Sequence, residues 1–107
     1  MPGSSVPFYN VTNTVIEIRN SPAWIAGGTV SSKSGLDGYL VFWDKPASEV
    51  VLGTTPPSYF VPCYGLSTSP LCRDEPAIFL RAISMAFVDD VPLGAAARIA
   101  HVNLILQ

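Results

Sequence analysis

Charge is what this 107-residue sequence lacks. Asp, Glu, Lys and Arg make up 13% of it, about half the ~25% of an ordinary globular domain. There are two lysines, Lys33 and Lys45, and four scattered arginines, Arg19, Arg73, Arg81 and Arg98. Nucleic-acid binding needs several phosphate-neutralising cations on one face, and this distribution excludes it. The chain has one histidine and two cysteines, too few and too far apart for a recognisable zinc site. No stretch reaches the roughly 18–20 uninterrupted apolar residues of a membrane-spanning helix, so no membrane insertion is expected. The opening residues show no basic segment followed by an apolar one, as a secretory signal would. No serine stands in a G-x-S-x-G frame. A surface built from Ser, Thr, Asn, Pro and Gly, with a net charge of −2, also offers little repulsion to keep copies apart.

Turns, by contrast, are abundant. Ten prolines and eight glycines recur at short intervals, and between them lie short runs rich in β-branched and aromatic residues. That spacing predicts an all-β fold, an antiparallel β-sandwich or jelly-roll-like barrel of six or seven strands. Proline cannot donate to a ladder or continue a helix, so long helices before residue 77 are excluded. One domain over residues 8–107 is expected, with residues 1–7 as linker or hinge. Within it, residues 11–19 alternate cleanly, Ile16 and Ile18 against Val15, Glu17 and Arg19, as in a half-buried strand. Residues 23–30 read as a strand interrupted at Gly27-Gly28 by a bulge. Residues 31–38 form the most polar loop. Leu40 and Phe42 oppose Tyr39, Val41 and Trp43 in a core strand, and residues 49–52 and 58–61 read as short strands around a loop at 53–57.

The C-terminal third carries two long apolar runs, 77–88 and 95–106, around the turn-like residues 89–94. Helix is the competing reading of the first run. Its apolar residues, however, leave no polar face at helical spacing, whereas in a strand Phe79, Arg81, Ile83, Met85 and Phe87 share one face. The other face, Ile78, Leu80, Ala82, Ser84, Ala86 and Val88, is also mostly apolar, as expected of a strand covered on both sides. The two runs are expected to pair as a hairpin. The surplus apolar surface predicts self-association, most simply as a homodimer, with Phe79, Arg81, Ile83, Met85 and Phe87 as the interface.

Residues 62–76 form a long loop, near the ~12–15 residues beyond which structureless loops are uncommon and often functional. A Cys63–Cys72 disulfide would close it and stabilise by roughly 3 kcal/mol in the chain-entropy model; the alternative is two thiols in a reducing setting. The exposed loops nominate Lys33, Asp37, Tyr64, Leu66, Ser67 and Thr68 as contacts for a receptor or glycan. A hydrolase would have to combine Ser84, His101 and Asp89 or Asp90, but a lone histidine among Ile99, Ala100, Val102 and Leu104 reads better as a core or interface residue. Asp74-Glu75 and Asp89-Asp90 are the clustered carboxylates, and Asp89-Asp90 suits a turn through aspartate's own backbone hydrogen bonds. No catalytic residue and no cofactor is expected; calcium at a subunit junction, the one metal left open, would need several oxygen ligands. Asn10-Val11-Thr12 is a glycosylation acceptor if the chain meets the secretory pathway.

Residues 1–7 as a hinge, the strand pattern of residues 11–88 and residues 95–107 as a C-terminal strand together resemble the protruding (spike) domains of small non-enveloped RNA-virus capsid proteins, of the nodavirus and tombusvirus kind. The resemblance implies a capsid β-sandwich on the virion surface that associates with its copies and attaches to a host receptor or glycan. The sequence departs from the nodavirus kind in lacking a D-x-D calcium motif. The rival reading is a secreted or cell-surface module, extracellular, that binds carbohydrate or protein.

Overall fold

The computed structural model describes residues 8–33, 37–65, 68–71, 77–89 and 100–106, with the side chains of Phe8 and Tyr9 left aside. Two antiparallel sheets pack face to face in a β-sandwich. Among the described residues there are nine strands: β1 (Phe8–Val11), β2 (Ile16–Arg19), β3 (Ala23–Ser32), β4 (Gly38–Trp43), β5 (Tyr59–Cys63), β6 (Thr68–Pro70), β7 (Ala77–Phe79), β8 (Ile83–Val88) and β9 (Ala100–Leu106). The five-stranded sheet runs β1-β9-β3-β6, with β7 also paired to β3; the four-stranded sheet runs β2-β8-β4-β5. The all-β sandwich expected from the sequence is therefore the fold.

Alternation along each strand fills the space between the sheets. Ile25, Val30, Val102 and Leu104 enter from one side, and Leu40, Phe42, Met85 and Phe87 from the other, all fully buried. The ten-residue β3 lies at the centre of its sheet and carries the expected irregularity, a register shift against β9 between Ile25 and Gly27. Gly28 makes it possible. Its φ is 132°, and a Cβ there would collide with the carbonyl oxygen of Asn103, so only glycine fits this crossing.

Residues 11–19 are not one strand, since β1 ends at Val11 in one sheet and β2 begins at Ile16 in the other, and three further expectations are corrected. First, residues 77–88 are two strands, β7 and β8, in different sheets. The chain crosses between layers at Leu80-Arg81-Ala82, where the Asp44 carboxylate takes over the backbone hydrogen bonds that a ladder would supply. Second, β8 and β9 do not form a hairpin: β8 pairs with β2 and β4, and β9 with β1 and β3. Third, residues 49–52 are not a strand. A 3₁₀ turn, Ala47–Glu49, leads into tight turns closed by Thr54 N–H and Thr55 N–H donating to the Val51 carbonyl, with Gly53 at φ 83°.

That excursion, residues 44–57, matters to everything below. It lies over the outer face of the four-stranded sheet and builds a second, smaller core there, with Val50 and Leu52 packed on Val41, Trp43, Ala86 and Val88. Polar contacts pin it: Trp43 Nε1 donates to the Thr55 carbonyl at 2.9 Å, Ser84 Oγ to the Lys45 carbonyl at 2.7 Å, and Ala47 N–H to Glu17 Oε1 at 2.9 Å. Every residue of β8 is consequently buried on both faces.

Candidate interaction face

The outer face of the five-stranded sheet carries no comparable excursion among the described residues. Strand register sets what it presents. Asn10, His101, Ser31 and Thr68 form one row across β1, β9, β3 and β6. Asn103, Thr29 and Pro70 form the next. Further along, Ile105 lies opposite Gly27, and Trp24 opposite Ile78. One end of the face is thus polar and the other apolar.

At the apolar end Trp24 is 45% exposed, Ile78 54%, Leu80 72% and Ile105 36%. Pro22, Ala23, Trp24, Phe79 and Leu80 line a shallow groove of about 370 Å³ beside them. Leu80 stands at the layer-crossing corner. Its N–H donates to Asp44 Oδ2 at 3.0 Å, while Arg81 N–H and Ala82 N–H donate to Asp44 Oδ1 at 2.7 and 3.2 Å. Desolvation pushes the Asp44 carboxyl up, but those three backbone donors and the Arg81 charge outweigh it and hold the group below its ordinary 3.8. Arg81 itself reaches solvent, where Nη2 grips Glu49 at 2.8–2.9 Å; that hydrogen bond and charge raise its already high pKa.

Four of the five interface residues named from the sequence are interior. Phe79, Ile83, Met85 and Phe87 lie in the core between the chain's own two sheets, and Arg81 is engaged with Glu49. The surplus apolar surface of residues 83–88 is real, but the chain covers it with its own excursion. The exposed cluster of Trp24, Ile78, Leu80 and Ile105 lies at the other sheet, while Phe60 on β5 and Val51 in the excursion are exposed as well. Alternation along 77–88 placed Ile78 and Leu80 opposite Phe79 correctly, but nothing in it said that these two stay exposed while Ala82, Ser84, Ala86 and Val88 of the same set are buried.

The loop candidates fare better. Asp37 Oδ1 accepts the Gly65 N–H at 2.9 Å, tying the β3–β4 connection to the β5–β6 connection. Ser31 Oγ and Thr68 Oγ1 are 2.7 Å apart. Lys33, Asp37 and Thr68 are exposed, and Tyr64 is 62% exposed, so these four come together at the polar end of the sandwich. Leu66 and Ser67 lie outside the described residues. So does Cys72, which leaves the Cys63–Cys72 pairing outside them too. Cys63 is fully buried, with Sγ 3.6 Å from the Val30 carbonyl oxygen. The stretch 62–76 is no simple loop either, since Pro62-Cys63 complete β5 and Thr68–Pro70 form β6.

The hydrolase grouping is excluded by layering. Ser84 lies on β8 under the excursion, bonded to the Lys45 carbonyl, and His101 lies on β9 in the opposite sheet. Desolvation first, and the Lys33 charge second, lower the His101 pKa from 6.5. Among the described residues no three His, Cys, Asp or Glu side chains gather as a metal site, and no helix is long and apolar enough to cross a membrane.

Sequence comparison finds no matching family and no matching curated protein. Among solved structures, the chain is similar to one described as "Bacillus endospore appendages form a novel family of disulfide-linked pili", at 11% sequence identity and a TM-score of 0.46, covering 99% of this chain and 91% of that one.

Proposed function

We propose that this domain is a non-catalytic structural module of a particle or cell surface, and that it joins a second copy of itself through the apolar end of the five-stranded sheet. One observation carries the reading: residues 44–57 roof Val41, Trp43, Ala86 and Val88 on one outer face, with Phe60 of that sheet still exposed, while at the other face Trp24, Ile78, Leu80 and Ile105 are exposed together. Exposed apolar clusters of this kind mark interaction sites. A second copy is the occupant that the composition favours, because a net charge of −2 opposes its approach only weakly. A two-fold axis through the patch would set Trp24 and Leu80 against the same patch of the partner.

The finer form of this proposal is the capsid spike. The polar end, with Lys33, Asp37, Tyr64 and Thr68, would then point away from the virion and meet a host receptor or glycan, Tyr64 offering an apolar ring with a polar tip.

Sedimentation equilibrium tests the self-association. A dimer at micromolar concentration is expected. Trp24→Glu, a change at an exposed position, should give a monomer with an unaltered far-UV circular dichroism spectrum. A wild-type chain that stays monomeric at high micromolar concentration overturns the reading.

A further inference from the structure

The corner that presents Leu80 has a feature that self-association by itself does not explain. Three consecutive backbone N–H groups, of Leu80, Arg81 and Ala82, converge on one carboxylate, Asp44, at 2.7–3.2 Å. Neither sheet supplies acceptors to this stretch, because it is the crossing between them. We propose that Asp44 is an acid-sensitive clamp for the associating face: its ionised form fixes the corner, and protonation releases it and disfavours the dimer. This rests on the self-association proposed above and adds its regulation.

The placement of Asp44 supports the role. It follows β4 directly, on the four-stranded sheet, and its own N–H donates to Ser58 Oγ at 3.2 Å. The carboxylate thus spans from one layer to the chain leaving the other. On the far side of the corner, Phe79 and Leu80 line the groove with Trp24. A charged carboxylate accepts at both oxygens, whereas the protonated acid carries an O–H donor on one of them. With three donors converging, the neutral form leaves at least one N–H facing another donor. Leu80, held by Oδ2, then loses its fixed position.

The surrounding charges act in the same direction. Arg81 favours the ionised form and is itself held by Glu49 from the 3₁₀ turn. Lys45 is the next residue along the chain. From β2 come Arg19, whose register partner is Ile83, and Glu17, whose Oε1 is occupied by the Ala47 N–H. Packed β8 contributes the uncharged Ser84. Because the folded-state pKa lies below 3.8, the clamp is complete above that pH and is lost as pH falls through the depressed value. Dissociation on acidification therefore begins below pH 3.8.

The test uses the whole chain. In the wild type, the amide chemical shifts of Leu80, Arg81 and Ala82 should titrate together below pH 3.8, and sedimentation should show the dimer dissociating over the same interval. At neutral pH, Asp44→Asn should weaken association by about 5-fold or more, the lower end of typical inter-site coupling. Amide shifts that stay flat through the titration overturn the clamp, whether or not the protein dimerises. A wild-type monomer at neutral pH with titrating amides sinks the self-association reading and, with it, the gating. Titrating amides with a dimer that persists in acid overturn the gating alone. If Asp44→Asn does not fold, the wild-type titration decides.

Discussion

Gly38 and Phe87 offer a sharp test of the packing. Gly38 opens β4, and a methyl group added there would lie 2.7 Å from Cε2 and Cζ of Phe87 and 3.0 Å from the Val88 carbonyl oxygen. Phe87 is fully buried in the main core, so its ring has nowhere to move without displacing neighbours. Gly38→Ala should therefore cost about 1–3 kcal/mol, the usual range for overpacking. Phe87→Leu removes the ring atoms that collide and should cost about 1–2 kcal/mol, between the Ile→Val and Phe→Ala ranges. In the double variant, the ring clash is gone and only the approach to the Val88 carbonyl remains. The two costs should then fall short of additive by about 0.5–3 kcal/mol, as for residues in contact. Urea unfolding of the four proteins measures this, with the midpoint giving the change and an unaltered m-value showing that the unfolded reference is the same. Strict additivity would refute the placement of the Phe87 ring over Gly38, and with it the register Leu40↔Phe87 between β4 and β8.

Two further expectations follow from the second core and the buried thiol. Trp43→Phe removes the hydrogen bond to the Thr55 carbonyl and should cost about 1–3 kcal/mol, with faster hydrogen exchange confined to residues 50–55; global acceleration alone would show that the excursion is not a separate unit. Cys63, the fully buried last residue of β5, should resist alkylation in the native protein and react after denaturation with reductant; native labelling at the rate of an open thiol would contradict its burial. Intact-mass measurement before and after reduction decides the pairing with Cys72.

Much of the fold was legible because its signals are local. The alternation around Ile16 and Ile18, the inward pair Leu40 and Phe42, and the doubled glycine at the bulge of β3 each depend on neighbouring residues and on the period of a strand. Ile83, Met85 and Phe87 were likewise assigned correctly to one face, whereas Phe79, on β7, enters the same core from the other sheet. Which surface that face meets was not legible. Alternation is blind to path: it sorts side chains into two sets but does not say whether an apolar set meets the opposite sheet, a loop of the same chain or another molecule. Here a break of three residues, fixed by an aspartate 36 positions before Leu80, put β7 and β8 into different layers.

What the sequence by itself determined is the class of fold, its short strands and its charge-poor surface, since composition and turn residues suffice for these. Tertiary structure alone decided that residues 44–57 roof the four-stranded sheet, that Cys63 and the apolar residues of the expected interface are interior, and that Trp24, Ile78, Leu80 and Ile105 are among the apolar residues left outside. Each of those outcomes depends on contacts between residues far apart in sequence, such as Asp44 with Leu80 and Trp43 with Ser84. No window of neighbouring residues contains them.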